Sequence, residues 1–144
     1  MKEGARDVAT RVLARVQTGA YASTTLDAET RRAGLDRRDA ALAAQIVYGA
    51  LRVLPRLDAA LAQHLHRGPG ALDPWSRALL WVGAYQLLFL DRVPVHSAVD
   101  EAVGIARRER GPKVGGFVNA VLRKVAAARP EHPDANPPLE LPAW

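Results

Sequence analysis

The stretch Gly83–Lys124, GAYQLLFLDRVPVHSAVDEAVGIARRERGPKVGGFVNAVLRK, decides how this chain is read. It holds the end of an apolar helix, a turn at Pro94, an amphipathic helix, a Gly/Pro break with basic residues, and a final amphipathic helix. The apolar helix starts upstream, where Asp73 is placed to cap it and Pro74 occupies the first position, at which a missing N–H costs nothing. From Trp75 to Leu90 it is apolar on nearly all sides, and such a helix belongs in the middle of a bundle. After Pro94, Val95, Val99, Ala102, Val103 and Ala106 recur at helical spacing, with Asp100, Glu101, Arg107 and Arg108 mostly outward. Acids early and arginines late also complement the helix dipole. The last helix is predicted to begin near Gly115 or Gly116 and to bury Phe117, Val118, Val121, Leu122 and Val125. None of these segments carries a nucleophile, a metal cluster or a cofactor loop.

Working outward, every other substantial segment also has helical rather than strand periodicity. A first helix is predicted from about Glu3 to Thr18, with Val8, Val12 and Val16 one turn apart, and Gly19 can end it. Ser23 or Thr24 can cap a short second helix that Gly34 stops. Asp36 caps a third, with Leu42, Ile46, Val47 and Ala50 inward, which should end near Val53 or Leu54 because Pro55 disfavours helical geometry before it. Leu57, Leu61 and Leu65 mark a fourth, and GPGALDP from Gly68 is a loop. The expectation is an all-α bundle of about seven helices over residues 1–129. Residues 130–144 hold five of the ten prolines and no periodicity, so they read as a linker or tail.

At 144 residues and 49% hydrophobic, the chain can bury one core without staples. It has no cysteine, which excludes a disulfide framework and fits a reducing cytoplasm. The apolar stretch Ala78 to Leu90 is too short to span a bilayer, so no membrane partner is expected. Phosphate-cradling loops of the common nucleotide-binding types are absent from the sequence. His64 and His66, two apart on a helix, would diverge, so solvated histidines are expected rather than a metal site. His96 beside Ser97 fits capping or packing, and the adjacent carboxylates Asp100 and Glu101 diverge. No catalytic constellation and no cofactor are expected.

The positive inventory is basic. Residues 1–129 hold all twenty Lys and Arg against twelve acids, a balance of +8, and seventeen of the twenty are arginine. Arginine suits bidentate phosphate contacts, although genomic bias produces the same excess. Candidate RNA-contacting residues are Arg6, Arg11 and Arg15 on the first helix, Arg37 and Arg38 after the Gly34 turn, and Arg107, Arg108, Arg110 and Lys113 around the Gly/Pro break. The GPKVGG segment adds backbone N–H groups at a helix start. Tyr21 and Tyr48 are the aromatics expected to be exposed, so shape and phosphate recognition are favoured over base reading. Asn119 is read as a buried amide tied to a neighbouring backbone.

The order of segments resembles the NusB-like family of all-helical RNA-binding domains. The stretches that carry the resemblance are ARDVATRVLARVQTGAYAS, LDRRDAALAAQIVYGALRVLPRLDAAL, YQLLFLDRVPVHSAVDEAVGIAR and GFVNAVLRK, covering most of residues 5–129. YGALR followed by LD, and YQLLFLDRVP, are closer to the N-terminal domains of the RsmB (Sun/Fmu) family of 16S rRNA cytosine-C5 methyltransferases than to free-standing NusB. The opening agrees, since Arg6 stands alone where NusB tends to cluster arginines. The resemblance implies two helical subdomains, contacts to 16S rRNA, and a methyltransferase catalytic domain as partner, in cis or in trans. Cytosine-C5 methyl transfer needs a cysteine thiolate and an α/β domain for S-adenosylmethionine. With no cysteine and no strand-rich segment, this chain is expected to be non-enzymatic. In the family a Pro-rich linker and a motif like LPAW, here residues 141–144, precede the catalytic domain. Two further readings stay open: a free-standing NusB-type antitermination factor binding boxA-like RNA and a NusE-type ribosomal protein, and a protein-interaction module.

Overall fold

A computed structural model describes residues 2–129; the expected linker at 130–144 lies outside the described residues. Seven α-helices and one short 3-10 turn make up the regular structure among them: α1 (Ala5–Val16), α2 (Ala22–Ala33), α3 (Arg37–Arg52), α4 (Leu54–Ala62), the turn Pro69–Ala71, α5 (Pro74–Phe89), α6 (Val95–Arg110) and α7 (Pro112–Ala128). The boundaries follow local chemistry. The Asp36 carboxylate accepts from the Asp39 N–H at 2.8 Å, and Asp73 does the same for Ser76 at 3.1 Å. Gly34 ends α2 at φ 66°, a left-handed conformation that a side chain would oppose.

The apolar segment behaves as its composition requires. Eleven of the sixteen residues of α5 are buried, from Ser76 to Leu87. This helix packs against α1, α3, α4, α6 and α7. α1, α2 and α3 form one group and α6 and α7 pair closely, with α5 between the two sets. Glycine permits two of the closest approaches. A Cβ on Gly49 of α3 would overlap the Tyr85 ring, and one on Gly83 would stand 2.5 Å from Leu122 Cδ1. Burial pushes the Tyr85 phenol above its ordinary value, partly opposed by the Arg52 charge.

Several local expectations are corrected. α2 begins at Ala22 with Tyr21 at its N-cap, not at a Ser23 or Thr24 cap, so the chain turns in directly from Gly19. α7 begins at Pro112, because Gly111 makes the turn at φ 94° and Gly115 and Gly116 lie inside the helix. Starting the helix one turn earlier rotates no core residue away, but Phe117 is 39% exposed rather than buried. His64 and His66 fall in the turn after α4 instead of on a helix. Asn119 is half-buried, and its Oδ1 accepts from Arg123 Nε of the same helix at 3.1 Å, in place of the expected backbone tie.

Candidate nucleic-acid interface

α1 is amphipathic, with Val8, Ala9, Val12 and Leu13 buried, and its arginines reach to neighbouring helices on either side. Those arginines are bound into a band of ion pairs that runs across three helices. Toward α6, Arg6 Nη1 lies 3.0 Å from Glu101 Oε2, and Arg108 Nη2 pairs with Asp7. Toward α2, Arg11 Nε donates to Glu29 Oε1 at 2.7 Å, and Arg32 Nε donates to the same oxygen at 2.9 Å. Arg11 and Arg32 also share Glu3, just before α1. Arg15 stands 3.7 Å from Glu29 and is 56% exposed. α1 thus carries one set of ion pairs toward α6 and a second toward the end of α2.

The pairing sets electrostatic detail. Burial alone would push the Glu3 carboxyl up, but hydrogen bonds from Arg32 and Arg11, with their charges, hold it below its ordinary value. Burial opposes the Arg108 charge too, and Glu109 and Asp7 more than restore it, so its pKa is raised. Asp73, lifted by burial, is pulled below its ordinary value by Ser76 and by Arg110. Arg110 in turn lies over the Trp75 ring, 4.5 Å from the centroid. The three-arginine knot of Arg11, Arg15 and Arg32 around two carboxylates keeps a net positive charge.

The residues expected from sequence divide into two kinds. Arg6 is turned inward: Nε donates to Gln86 Oε1 at 2.6 Å, and Gln86 is buried in α5. Arg11 and Arg108 are likewise committed to carboxylates. Arg37, Arg38, Arg107 and Lys113 are exposed and have no ion-pair partner among the described residues. Arg15 and Arg110 are intermediate, loosely paired and largely open. Tyr21 and Tyr48 are exposed as expected, at 82% and 46%. Sequence reasoning missed Phe117. Lys113, Phe117, Ala120 and Lys124 recur at helical spacing and are all exposed, a signal that was available once Gly115 and Gly116 were taken as helical. No three His, Asp or Glu side chains converge as a metal site among the described residues, and no helix among them is long and apolar enough to cross a membrane.

The family model described as NusB family matches residues 3–127. Ribosomal RNA small subunit methyltransferase B of Pseudomonas putida is 41% identical over 120 residues, covering 83% of this chain and 27% of that protein. The Thermus thermophilus protein of the same name is 41% identical over 139 residues, covering 96% of this chain and 33% of that protein. The chain therefore spans about a third or less of the length of these relatives. Among solved structures, T. maritima NusB superimposes with a TM-score of 0.79 at 22% identity, over 94% of this chain and 99% of that one. NusB crystallised with NusE and dsRNA superimposes with a TM-score of 0.80 at 25% identity, over 87% of this chain and 95% of that one.

Proposed function

The chain belongs to the NusB family, and from that premise we propose that it is a non-catalytic RNA-binding domain that docks an rRNA cytosine-C5 methyltransferase on 16S rRNA. The observation that carries this reading is the set of exposed cations with no ion-pair partner among the described residues, on a chain similar to part of small-subunit rRNA methyltransferases. Arg37, Arg38, Arg107 and Lys113, with Arg15 and Arg110, form the proposed phosphate-contacting set. Arg6, Arg11 and Arg108 hold the surface in shape from behind. Phe117, Tyr21 and Tyr48 offer exposed rings for base stacking.

In this reading the catalytic cysteine and the S-adenosylmethionine site belong to a methyltransferase domain, joined in cis through residues 130–144 or recruited in trans. The present chain has no thiol with which to attack a cytosine ring. Its contribution is orientation and local concentration of the RNA. Binding carried by phosphate contacts must weaken as salt rises, because each neutralised phosphate releases condensed counterions. Affinity for 16S rRNA fragments measured over a salt series tests the proposal: binding that steepens toward low salt supports it, and undetectable binding at low salt overturns it.

The likeness to NusB in complex with NusE and dsRNA supports a second reading, an antitermination-type factor that binds boxA-like RNA with a NusE-type ribosomal protein. Pull-down with that ribosomal protein separates the two. The higher identity to the methyltransferases, 41% against 25%, favours the first.

A further inference from the structure

α3 has a solvent face that its neighbours α1, α2, α4 and α5 leave uncovered. Arg38, Ala41, Gln45, Tyr48 and Arg52 follow one another at alternating spacings of three and four residues, and all five are exposed. With 3.6 residues to the turn they form one stripe along the helix, about 21 Å from Arg38 to Arg52. Arg37, also exposed, stands beside its start. The stripe itself carries no carboxylate. The acids nearest to it in sequence are Asp36, which caps the helix start, and Asp39, which the helical turn carries to the other side. We propose that this stripe is a contact surface for single-stranded RNA, with one base stacked on Tyr48 and the flanking phosphates on Arg52 and Arg38. The proposal rests on the RNA-binding reading above and names where on α3, and in what form, the RNA is held.

Charge complementarity selects that occupant. Arg37, Arg38 and Arg52 have no carboxylate in ion-pair range among the described residues, so a polyanion meets cations that are not already neutralised. The charge of Arg52 is felt by the Tyr85 phenol, a neutral group that does not compensate it. Tyr48 adds the second requirement. It is 46% exposed, and no aromatic or cationic side chain lies over its ring among the described residues, so a π-face is open to a base. Cations tracking a backbone, with an aromatic ring between them, are what sequence-tolerant single-strand binding needs. Gln45, one turn before Tyr48, brings an amide donor and acceptor to the edge of a base stacked there. Ala41, one turn further back, leaves the space between Gln45 and Arg38 open for sugar and phosphate. The stripe is also held rigidly. Behind it Gly49 lets α3 approach α5 so closely that a Cβ there would overlap the Tyr85 ring.

The test compares the full chain with Tyr48→Ala, Tyr48→Phe and Arg52→Gln, all at exposed positions, so the helical spectrum should not change. Affinity is measured over a salt series for labelled 16S rRNA fragments, a single-stranded oligouridylate and an RNA duplex of equal length. Tyr48→Ala should weaken binding of the fragments and the oligouridylate about tenfold, the usual effect of losing one stacked base. It should leave duplex binding and the salt slope unchanged, because it removes no phosphate contact. Tyr48→Phe should stay within about twofold of the native chain, since stacking uses the ring and not the hydroxyl. Arg52→Gln should make the salt dependence shallower by about one phosphate contact. If the native chain binds the rRNA fragments and Tyr48→Ala binds every RNA as well as it does, the stripe proposal falls and the RNA-binding reading stands. An equal loss on duplex and single strand also overturns it, since a paired base cannot stack on Tyr48. So does a Tyr48→Ala chain that keeps its RNA affinity but no longer associates with a separately produced methyltransferase domain, an outcome that assigns the stripe to a protein. Undetectable RNA binding by the native chain at low salt removes the RNA-binding reading itself, and the stripe with it.

Discussion

α5 and the arginine band built on α1 are adjacent in space and opposite in chemistry. α5 is buried along most of its length and contributes apolar surface in every direction. The band is half-exposed and held by carboxylates shared among arginines from three helices. Apolar burial is non-directional and tolerates salt, whereas half-exposed ion pairs are screened by it and individually contribute little. The fold should therefore depend on α5, and the shape of the charged surface on the band. The sharpest way to break the first half is Trp81→Ala. Trp81 is 2% exposed, and its Nε1 donates to Asp58 at 2.7 Å while Asp58 also holds Arg77 at 2.6 Å. Deleting a buried tryptophan costs about 3–5 kcal/mol, so the urea midpoint should fall steeply at low and high salt alike. A loss under about 1 kcal/mol would show that α5 is not the hub.

Arg6 is where the two regions meet, since one guanidinium serves buried Gln86 on α5 and exposed Glu101 on α6. Arg6→Ala leaves the Gln86 carbonyl oxygen buried without that donor, a penalty of about 1–3 kcal/mol. The Glu101 share should be screened by salt and the Gln86 share should not. Urea unfolding of Arg6→Ala at two salt concentrations is thus expected to show a destabilisation that mostly survives high salt. A destabilisation abolished by salt would place Arg6 with the surface pairs and blur the contrast.

How much of this was legible follows from the same contrast. The all-round apolarity of Trp75–Leu90 specifies a central helix whatever surrounds it, and the caps Asp36 and Asp73 fix helix starts through bonds to residues three positions on. Such information is local and survives in one dimension. The band is not local. Glu29 and Arg11 are eighteen residues apart, and Arg108 and Asp7 a hundred and one, so periodicity shows charged faces without showing which charges cancel. In the sequence Arg6 is one of the basic residues of the first helix, and only the fold shows that its Nε donates to a buried glutamine eighty residues away. Phe117 is expected in the core from its place beside Val118, Val121 and Leu122 in a helix starting near Gly115 or Gly116, whereas Pro112 takes the first turn, the glycines ride within the helix and Phe117 is left 39% exposed. The clusters themselves were legible; which members are paired among the described residues was decided by long-range contacts.

Arg37→Glu with Arg38→Glu sharpens the functional side. Both residues are exposed at the start of α3 and unpaired among the described residues, so the melting temperature should hold within a degree or two. RNA affinity at low salt should drop about tenfold or more, with a shallower salt dependence, if the two contact phosphate. An affinity unchanged by the double reversal would remove the α3 start from the interface and leave the α6–α7 break, with Arg107 and Lys113, as the remaining candidate.

The smallest effect tests the band's own electrostatics. The Glu3 carboxyl is held below its ordinary value because hydrogen bonds and charge from Arg32 and Arg11 outweigh the burial that would raise it. A carboxylate depressed in the folded state contributes stability that is present above its unfolded pKa and is lost as pH falls through the folded one. That window lies from about pH 4.5 downward, since the unfolded group titrates near its ordinary value. Glu3→Gln removes the titrating group and should lower stability at neutral pH by less than about 1 kcal/mol, while flattening the acid limb of the stability curve. The penalty should shrink further in high salt, unlike that of Trp81→Ala. An acid limb unchanged in Glu3→Gln would mean that Glu29, which shares the same arginines at only 8% exposure, holds the knot without it, and the band would then be organised from α2 rather than from the start of α1.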